Sequence, residues 1–290
     1  MNDHEALKKP SGVLHFKLPS PGRIFVSFLF LFAIALALFP VLYILSMSLM
    51  SAEDYFHSKL IPSRFFFTNY TKAWKLAQMD LFYKNSIIVC TASVFFTLCV
   101  SSLAGYAFAR FRFPGGSFIY YVLLLSMMIP PQILLIPLFI NLRTLELLNT
   151  YWALIGPYTA LGFAFGMFIL KGFFELIPSS IEESAIMEGA RKFRIFRSIM
   201  LPLARPAMAT VTIFLFLNNW NEFMLALTFI TDVKFKTLPV GIYSLLSFEY
   251  YEDYTTLAAA LAMFTVPVMV VFFIFQKQFI KSLVAGAIKG

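Results

Sequence analysis

The sequence predicts an all-α membrane protein of six transmembrane helices, with both termini in the cytoplasm. Three observations carry that fold class. Hydrophobic residues make up 60% of the 290-residue chain and charged residues only 13%, about half the roughly 25% that a soluble domain carries. Charges divide the apolar sequence into runs that each exceed the ~20 residues a helix needs to cross a bilayer core. The basic residues fall mainly on alternate intervening segments, as they do when one membrane face is cytoplasmic. With 36 Phe and a mean hydropathy of +0.79, the composition excludes a disordered chain, a disulfide-rich secreted module and an ordinary soluble enzyme.

The spans follow in order. Residues 24–50, 85–109, 113–142, 147–170 and 254–276 contain no Asp, Glu, Lys or Arg, and 206–231 is interrupted only by Glu222. Strands of a membrane barrel would be about half this length and would alternate in polarity. The first run is too long for a signal peptide and has no small-residue cleavage site, so it reads as a retained helix. Residues 1–21 are polar and form a cytoplasmic tail; 22–290 form one transmembrane domain with a cytoplasmic loop at 171–205 and a C-terminal tail at 277–290. Pro130, Pro131 and Pro137 should bend the third helix. Gly162 and Gly166, four apart, allow close helix approach in the fourth. Cys90 and Cys99 are nine residues apart in one helical run, so they face opposite sides and cannot pair.

Placing the N-terminus inside puts fifteen of the 23 Lys and Arg on the cytoplasmic side. The inside segments then carry the whole basic excess, the outside loops are neutral, and a nucleic-acid partner is not needed to explain the net charge of +8. Outside, residues 51–84 include Asn69-Tyr70-Thr71, which matches the glycosylation triplet; Asn69 serves equally well as the cap of a short helix opening near Thr68 or Asn69. The last outside loop, 232–253, carries Tyr243, Phe248, Tyr250 and Tyr251, which with Tyr254 read as an interfacial aromatic belt or a docking surface. Inside, Arg110 to Gly116 reads as a tight basic turn.

The chain contains no GxxxxGK[ST] phosphate loop, so it should not hydrolyse ATP by itself. His4, His15 and His57 are its only histidines, and no HExxH or Cys/His cluster exists, so no metal site is expected. There is no GxSxG nucleophile elbow, and no residue is expected to be catalytic.

The loop at 171–205 carries the strongest signal. Ser180 and Glu183 have the spacing of a capping box, which opens a helix, and Gly189 is a left-handed stop. The helix between them is too short to be stable alone and needs something to dock on. Beyond it, Phe193, Phe196 and Met200 share one helical face with Ile199 at its edge, and Leu201-Pro202 ends the segment. The basic residues alone would also suit an amphipathic helix on an anionic leaflet.

The whole string resembles the EAA loop of ABC importer permeases, EAAxxxGA followed by IxLP. Glu183-Ser184-Ala185 stands for EAA with Ser in the second place, Glu188-Gly189-Ala190 for the acidic-Gly-Ala element, and Ile199-Met200-Leu201-Pro202 for the end. Trp220-Asn221-Glu222-Phe223, Thr237-Leu238-Pro239-Val240-Gly241 and Ala285 to Gly290 are similar to the carbohydrate-uptake branch, in particular the MalG-like subunits of maltose-type transporters. The resemblance implies a type I importer permease fold in the cytoplasmic (inner) membrane of a bacterium or archaeon. It implies a second permease subunit, two ATPase subunits that hold ATP and Mg on the cytoplasmic side, an extracytoplasmic solute-binding protein, and no cofactor in this chain. By the same resemblance Glu183, Ser184, Ala185, Glu188, Gly189, Ala190, Phe193, Phe196, Ile199, Leu201 and Pro202 form the ATPase-coupling element. Glu183 would pair with an ATPase cation, and Gly189 would permit close backbone approach.

Trp220, Asn221 and Glu222 combine an aromatic ring with planar polar groups and could line a sugar path; they could equally be interhelical hydrogen-bond glue. A lone intramembrane carboxylate also admits a secondary transporter coupled to ions through Glu222.

Overall fold

The structure is a computed structural model that describes residues 21–246 and 253–287, with 21, 23, 24, 246 and 278–287 by backbone alone. The N-terminal tail with His4 and His15, the loop residues Phe248, Tyr250 and Tyr251, and 288–290 lie outside the described residues. Among the described residues all regular structure is helical. The chain forms two compact units, one ending at Ile44 and one running from Leu45. The first unit contains most of α1 (Pro21–Met47). Its side chains from 25 to 42 are exposed, and a helix that is apolar all round is suited to lipid.

The second unit holds α2 (Ala52–Phe56), α3 (Thr68–Leu76), α4 (Met79–Arg110), α5 (Gly116–Ser126), α6 (Leu135–Thr144) and α7 (Trp152–Leu176). It continues with α8 (Ser179–Met187), α9 (Lys192–Ile195), a π-helical turn (Phe196–Met200), α10 (Leu201–Leu203), α11 (Arg205–Asn221), α12 (Met224–Phe229), α13 (Leu238–Tyr243) and α14 (Tyr254–Ala287). By length and apolarity α1, α4, α7 and α14 can each cross a membrane. Two further apolar stretches are bent pairs, 116–126 with 131–144 at 94° and 192–203 with 205–221 at 72°. Helix α5 ends at Ser126, and Pro130 is extended (ψ 132°) directly before a 3₁₀ turn, Pro131–Leu134. Pro137 falls in the first turn of α6, where its missing N–H removes no helical bond. The bend therefore belongs to Pro130 and Pro131 and not to Pro137.

The fifth apolar run is not one helix. Helix α11 stops at Asn221, Glu222 is extended (φ −69°, ψ 127°), and α12 resumes at Met224. The cause is chemical: the Glu222 carboxylate accepts hydrogen bonds from the backbone N–H of Leu225 (2.7 Å) and Ala226 (3.1 Å), so it caps the helix that follows it.

Helices α4 and α7 pack along a seam of small residues. Ser93, Thr97, Ser101 and Gly105 repeat every four residues on α4 and are buried. A Cβ added to Gly166 would lie 2.7 Å from Ser101 Oγ, and one on Gly162 2.7 Å from Leu215 Cδ2, well inside contact distance. Close approach is thus required at Gly166, against Ser101 on α4, while at Gly162 the near neighbour is the tip of Leu215 on α11, which can turn aside. The seam's hydroxyls are satisfied, Ser93 donating to Val89 O (2.7 Å), Thr97 to Ser93 O (2.7 Å) and Ser101 across to Phe163 O (2.9 Å). Cys90 is buried and Cys99 exposed, both free.

Two clasps act at the other end of the unit, one on α3 and one on α4. Buried Asn69 donates both amide hydrogens, to Ser48 O (3.0 Å) and Met50 O (2.8 Å). It is therefore neither a free acceptor for a glycan nor a helix cap, which is Phe67; its side chain is consumed in tying the chain back on itself. Asn85 donates to Lys234 O and Lys236 O, both at 2.9 Å, and Leu238 N–H donates to Ser86 Oγ (2.7 Å). These bonds seat α13 on α4 so tightly that a Cβ on Gly241 would lie 2.0 Å from Phe82 Cδ2.

Candidate functional site

The segment between α7 and α11 begins with Ile177 in extended geometry ahead of Pro178, as a residue before proline prefers. Helix α8 starts directly after the proline, with Pro178 at the N-cap and no side-chain cap. The capping box of Ser180 and Glu183 does not form, because Ser180 already lies inside the first turn. The stop does form. Gly189 is left-handed (φ 82°), its N–H donates to Ile186 O (2.9 Å), and Ala190 N–H donates to Ala185 O (3.0 Å). That pair of bonds is a Schellman motif, which gives Gly-Ala at 189 and 190 a structural reason. Within this chain a Cβ on Gly189 would touch nothing, so the positive φ, not a close neighbour, demands glycine here.

Helix α8 has two faces. Ala185 is buried and Glu182 half-buried, while Glu183, Ser184, Ile186, Met187, Glu188 and Gly189 are exposed. Met187 is 88% exposed and Ile186 54%, which leaves apolar side chains uncovered on a helix too short to stand alone. Beyond α8 the π-helical turn widens the helical repeat and changes the buried face. Ile195, Phe196 and Met200 are buried, Ile199 and Leu201 pack partly against the core, and Pro202 is exposed. Phe193, expected on the same face as Phe196, is 66% exposed instead.

Three residues that the motif does not single out hold this segment to the bundle. Arg110, the last residue of α4, pairs through Nε with Glu182 Oε1, both side chains about 15% exposed. Its Nη2 donates to Ile177 O (2.6 Å), and Tyr106 donates to Glu182 Oε2 (3.0 Å). Tyr106 also meets Phe174, Phe196 and Phe111 at ring distances of 5.6, 5.2 and 5.6 Å. The signal available in the sequence was an unpaired Arg and a Tyr at the end of an apolar run, opposite the first of two adjacent glutamates.

Trp220, Asn221 and Glu222 point three ways. Trp220 is buried and donates to Phe264 O (3.1 Å). Asn221 is exposed and donates to Leu217 O (2.7 Å); it lines a cavity of about 390 Å³ with Phe223, Tyr243 and Leu261. Glu222 accepts from Tyr158 (2.6 Å) and lines a different cavity of about 330 Å³ with Asn218, Asn219, Phe165 and Phe214. Asn219 donates to Ser93 Oγ (2.9 Å), so it does join helices. Among the described residues no group of three or more His, Cys, Asp or Glu could hold a metal.

Apolar helices with a kinked span and a break that lines a cavity, joined to an anchored loop with an uncovered apolar face, define a membrane transport component. The chain belongs to the binding-protein-dependent transport system inner membrane component family, whose pattern matches residues 98–284. It is 36% identical over 252 residues to the diacetylchitobiose uptake system permease protein NgcG of Streptomyces coelicolor, covering 86% of this chain and 83% of that protein. It is 33% identical over 259 residues to the trehalose/maltose transport system permease protein MalG of Thermococcus litoralis, covering 88% and 92%. Its fold matches a bacterial ABC transporter involved in the import of the acidic polysaccharide alginate, with a TM-score of 0.79, 26% identity and coverage of 91% and 99%. Such chains are transport components rather than enzymes.

Proposed function

We propose that this chain is the membrane-spanning permease subunit of an ATP-driven importer that takes up a carbohydrate, whether a sugar, an oligosaccharide or a related polyol or glycerol derivative, by alternating access. The family match over 98–284 carries this reading, and relatives that transport diacetylchitobiose and trehalose or maltose supply the substrate class. In this reading the six apolar runs cross the membrane six times and both termini are cytoplasmic. Residues 1–21 are a tail, 22–290 the permease domain, and 277–290 extends toward the ATPase. A second permease subunit completes the pore, a solute-binding protein docks outside, and two ATPase subunits hold ATP and Mg inside.

Residues 171–205 then form the coupling loop. Glu183, Ile186 and Met187 offer a short apolar plug with one negative charge at its edge, which suits a cleft carrying a cation. ATP binding can bias the outward-open state only through contacts that differ between the two states, and this plug is the contact the chain presents. Of the residues expected on the solute path, Glu222 faces a cavity whose Asn218, Tyr158, Phe165 and Phe214 combine planar polar groups and aromatic faces, the chemistry that holds a polyhydroxylated solute. No relative supports ion coupling through Glu222.

The test is the reconstituted complex. The co-purifying binding protein should carry a carbohydrate, and that carbohydrate should stimulate ATP hydrolysis. Gly189→Leu should abolish the stimulation. A non-carbohydrate solute would overturn the substrate class, and full stimulation in Gly189→Leu would overturn the coupling role of the loop.

A further inference from the structure

The two adjacent glutamates of α8 lie about 100° apart on the helix, and the structure separates them. Glu183 faces outward with Ile186 and Met187. Glu182 faces inward with buried Ala185; its Oε1 is ion-paired with Arg110 and its Oε2 accepts from Tyr106. Arg110 reaches Ile177 O as well, so one guanidinium links the end of α4, the C-cap of α7 and the first turn of α8. Phe196, just beyond the loop, packs its ring on Tyr106. A carboxylate ion-paired at one oxygen and hydrogen-bonded at the other fixes the position of the first turn of α8.

We propose that Arg110 and Tyr106, by gripping Glu182, make the docking helix α8 a rigid extension of α4, so that a pull on the loop is delivered to α4. This rests on the coupling-loop reading above. Helix α4 is suited to pass the displacement on. Its seam of Ser93, Thr97, Ser101 and Gly105 is locked against α7. Ser93 holds Asn219 on α11, three residues before the helix break at Glu222. Arg110, Tyr106 and Glu182 are therefore positioning residues. They touch neither nucleotide nor solute, and Glu183 is left free for the partner.

The experiment uses the full complex in proteoliposomes, comparing Glu182→Gln, Arg110→Met, Tyr106→Phe and the charge swap Arg110→Glu/Glu182→Arg. The readout is solute imported per ATP hydrolysed. Glu182→Gln and Arg110→Met should keep ATP hydrolysis while lowering that ratio about tenfold, within the range of ordinary coupling energies. Tyr106→Phe should lower it less, and the charge swap should restore part of it. Assembled single variants with a wild-type ratio would overturn the proposal, and so would a charge swap no better than the singles. A second readout does not depend on transport. Spin labels at Met187→Cys and at the exposed Cys99 of α4, in a Cys90→Ala chain, should give a narrow distance distribution that broadens in Glu182→Gln. An unchanged distribution would overturn the latch by itself. A wild-type complex lacking solute-stimulated hydrolysis would overturn the importer reading and leave this distance test standing.

Discussion

The segment between α1 and α4 and the segment between α7 and α11 both place short helices and charged residues between long apolar ones, but they close differently. The first satisfies its buried polar groups from within, while Phe56, Ile61, Phe65 and Phe67 stay exposed. Asp54 takes Lys59 Nζ (2.6 Å) and the backbone N–H and hydroxyl of Ser63 (both 2.9 Å), and Asn69 binds two carbonyls. The second is tied down at one hub, Glu182 with Arg110 and Tyr106, and leaves Ile186, Met187 and Phe193 uncovered. Both segments leave apolar side chains uncovered, so the difference lies in the polar groups: the first satisfies them within itself, and the second hands its inward glutamate to the end of α4.

Five measurements break or sharpen that contrast. The largest effect should come from Asn69→Ala, which strips two carbonyls of their donor in the first segment. Thermal unfolding in detergent should show a loss of about 2–6 kcal/mol, at 1–3 for each buried group left unmatched. Glu182→Gln should follow, at about 1.5–3 kcal/mol for charge-assisted bonds. Equal stability in that variant would mean the second segment has no anchor. Gly189→Ala should cost about 1–2 kcal/mol, because an L side chain resists the left-handed region. Met187→Ser should change the unfolding of the isolated chain by less than about 0.5 kcal/mol. It should nevertheless weaken binding of the ATPase subunits by about 1.5–3 kcal/mol, the value of burying such a side chain. Destabilisation of the isolated chain by Met187→Ser would remove the contrast.

The smallest effect at neutral pH concerns Asp54. The Lys59 ammonium and the Ser63 N–H beside it lower its carboxyl from 3.8 to about 2. A carboxyl lowered on folding stabilises above its unfolded value and ceases to as pH falls through its folded one. The 51–63 segment should therefore loosen between about pH 4 and pH 2, seen as faster amide exchange there, and Asp54→Asn should remove that dependence.

Much of this was legible in the sequence. The long apolar runs marked α1, α4, α7 and α14, and the string from Glu183 to Pro202 marked the loop and the family. Gly166 and Gly189 were found for reasons the structure bears out in packing or in φ. What could not be read was pairing at a distance. Arg110 and Glu182 are 72 residues apart, Asn85 and Lys236 151 apart, and no local pattern joins them. The capping box failed because Pro178, two positions before Ser180, claimed the N-cap. The expected face of Phe193 failed because a π turn changed the period on which the expectation relied.

By itself the sequence determined solvent, class and family. Charge scarcity and run length follow from the bilayer's thickness and its intolerance of unpaired charge, and these are properties of composition and spacing. Only the tertiary structure decided which of two neighbouring glutamates turns inward, where the third and fifth apolar runs break, and that Trp220, Asn221 and Glu222 part company. Each of those outcomes depends on which distant donor or acceptor is within about 3 Å, and hydrogen bonds act at that range only after the helices have packed.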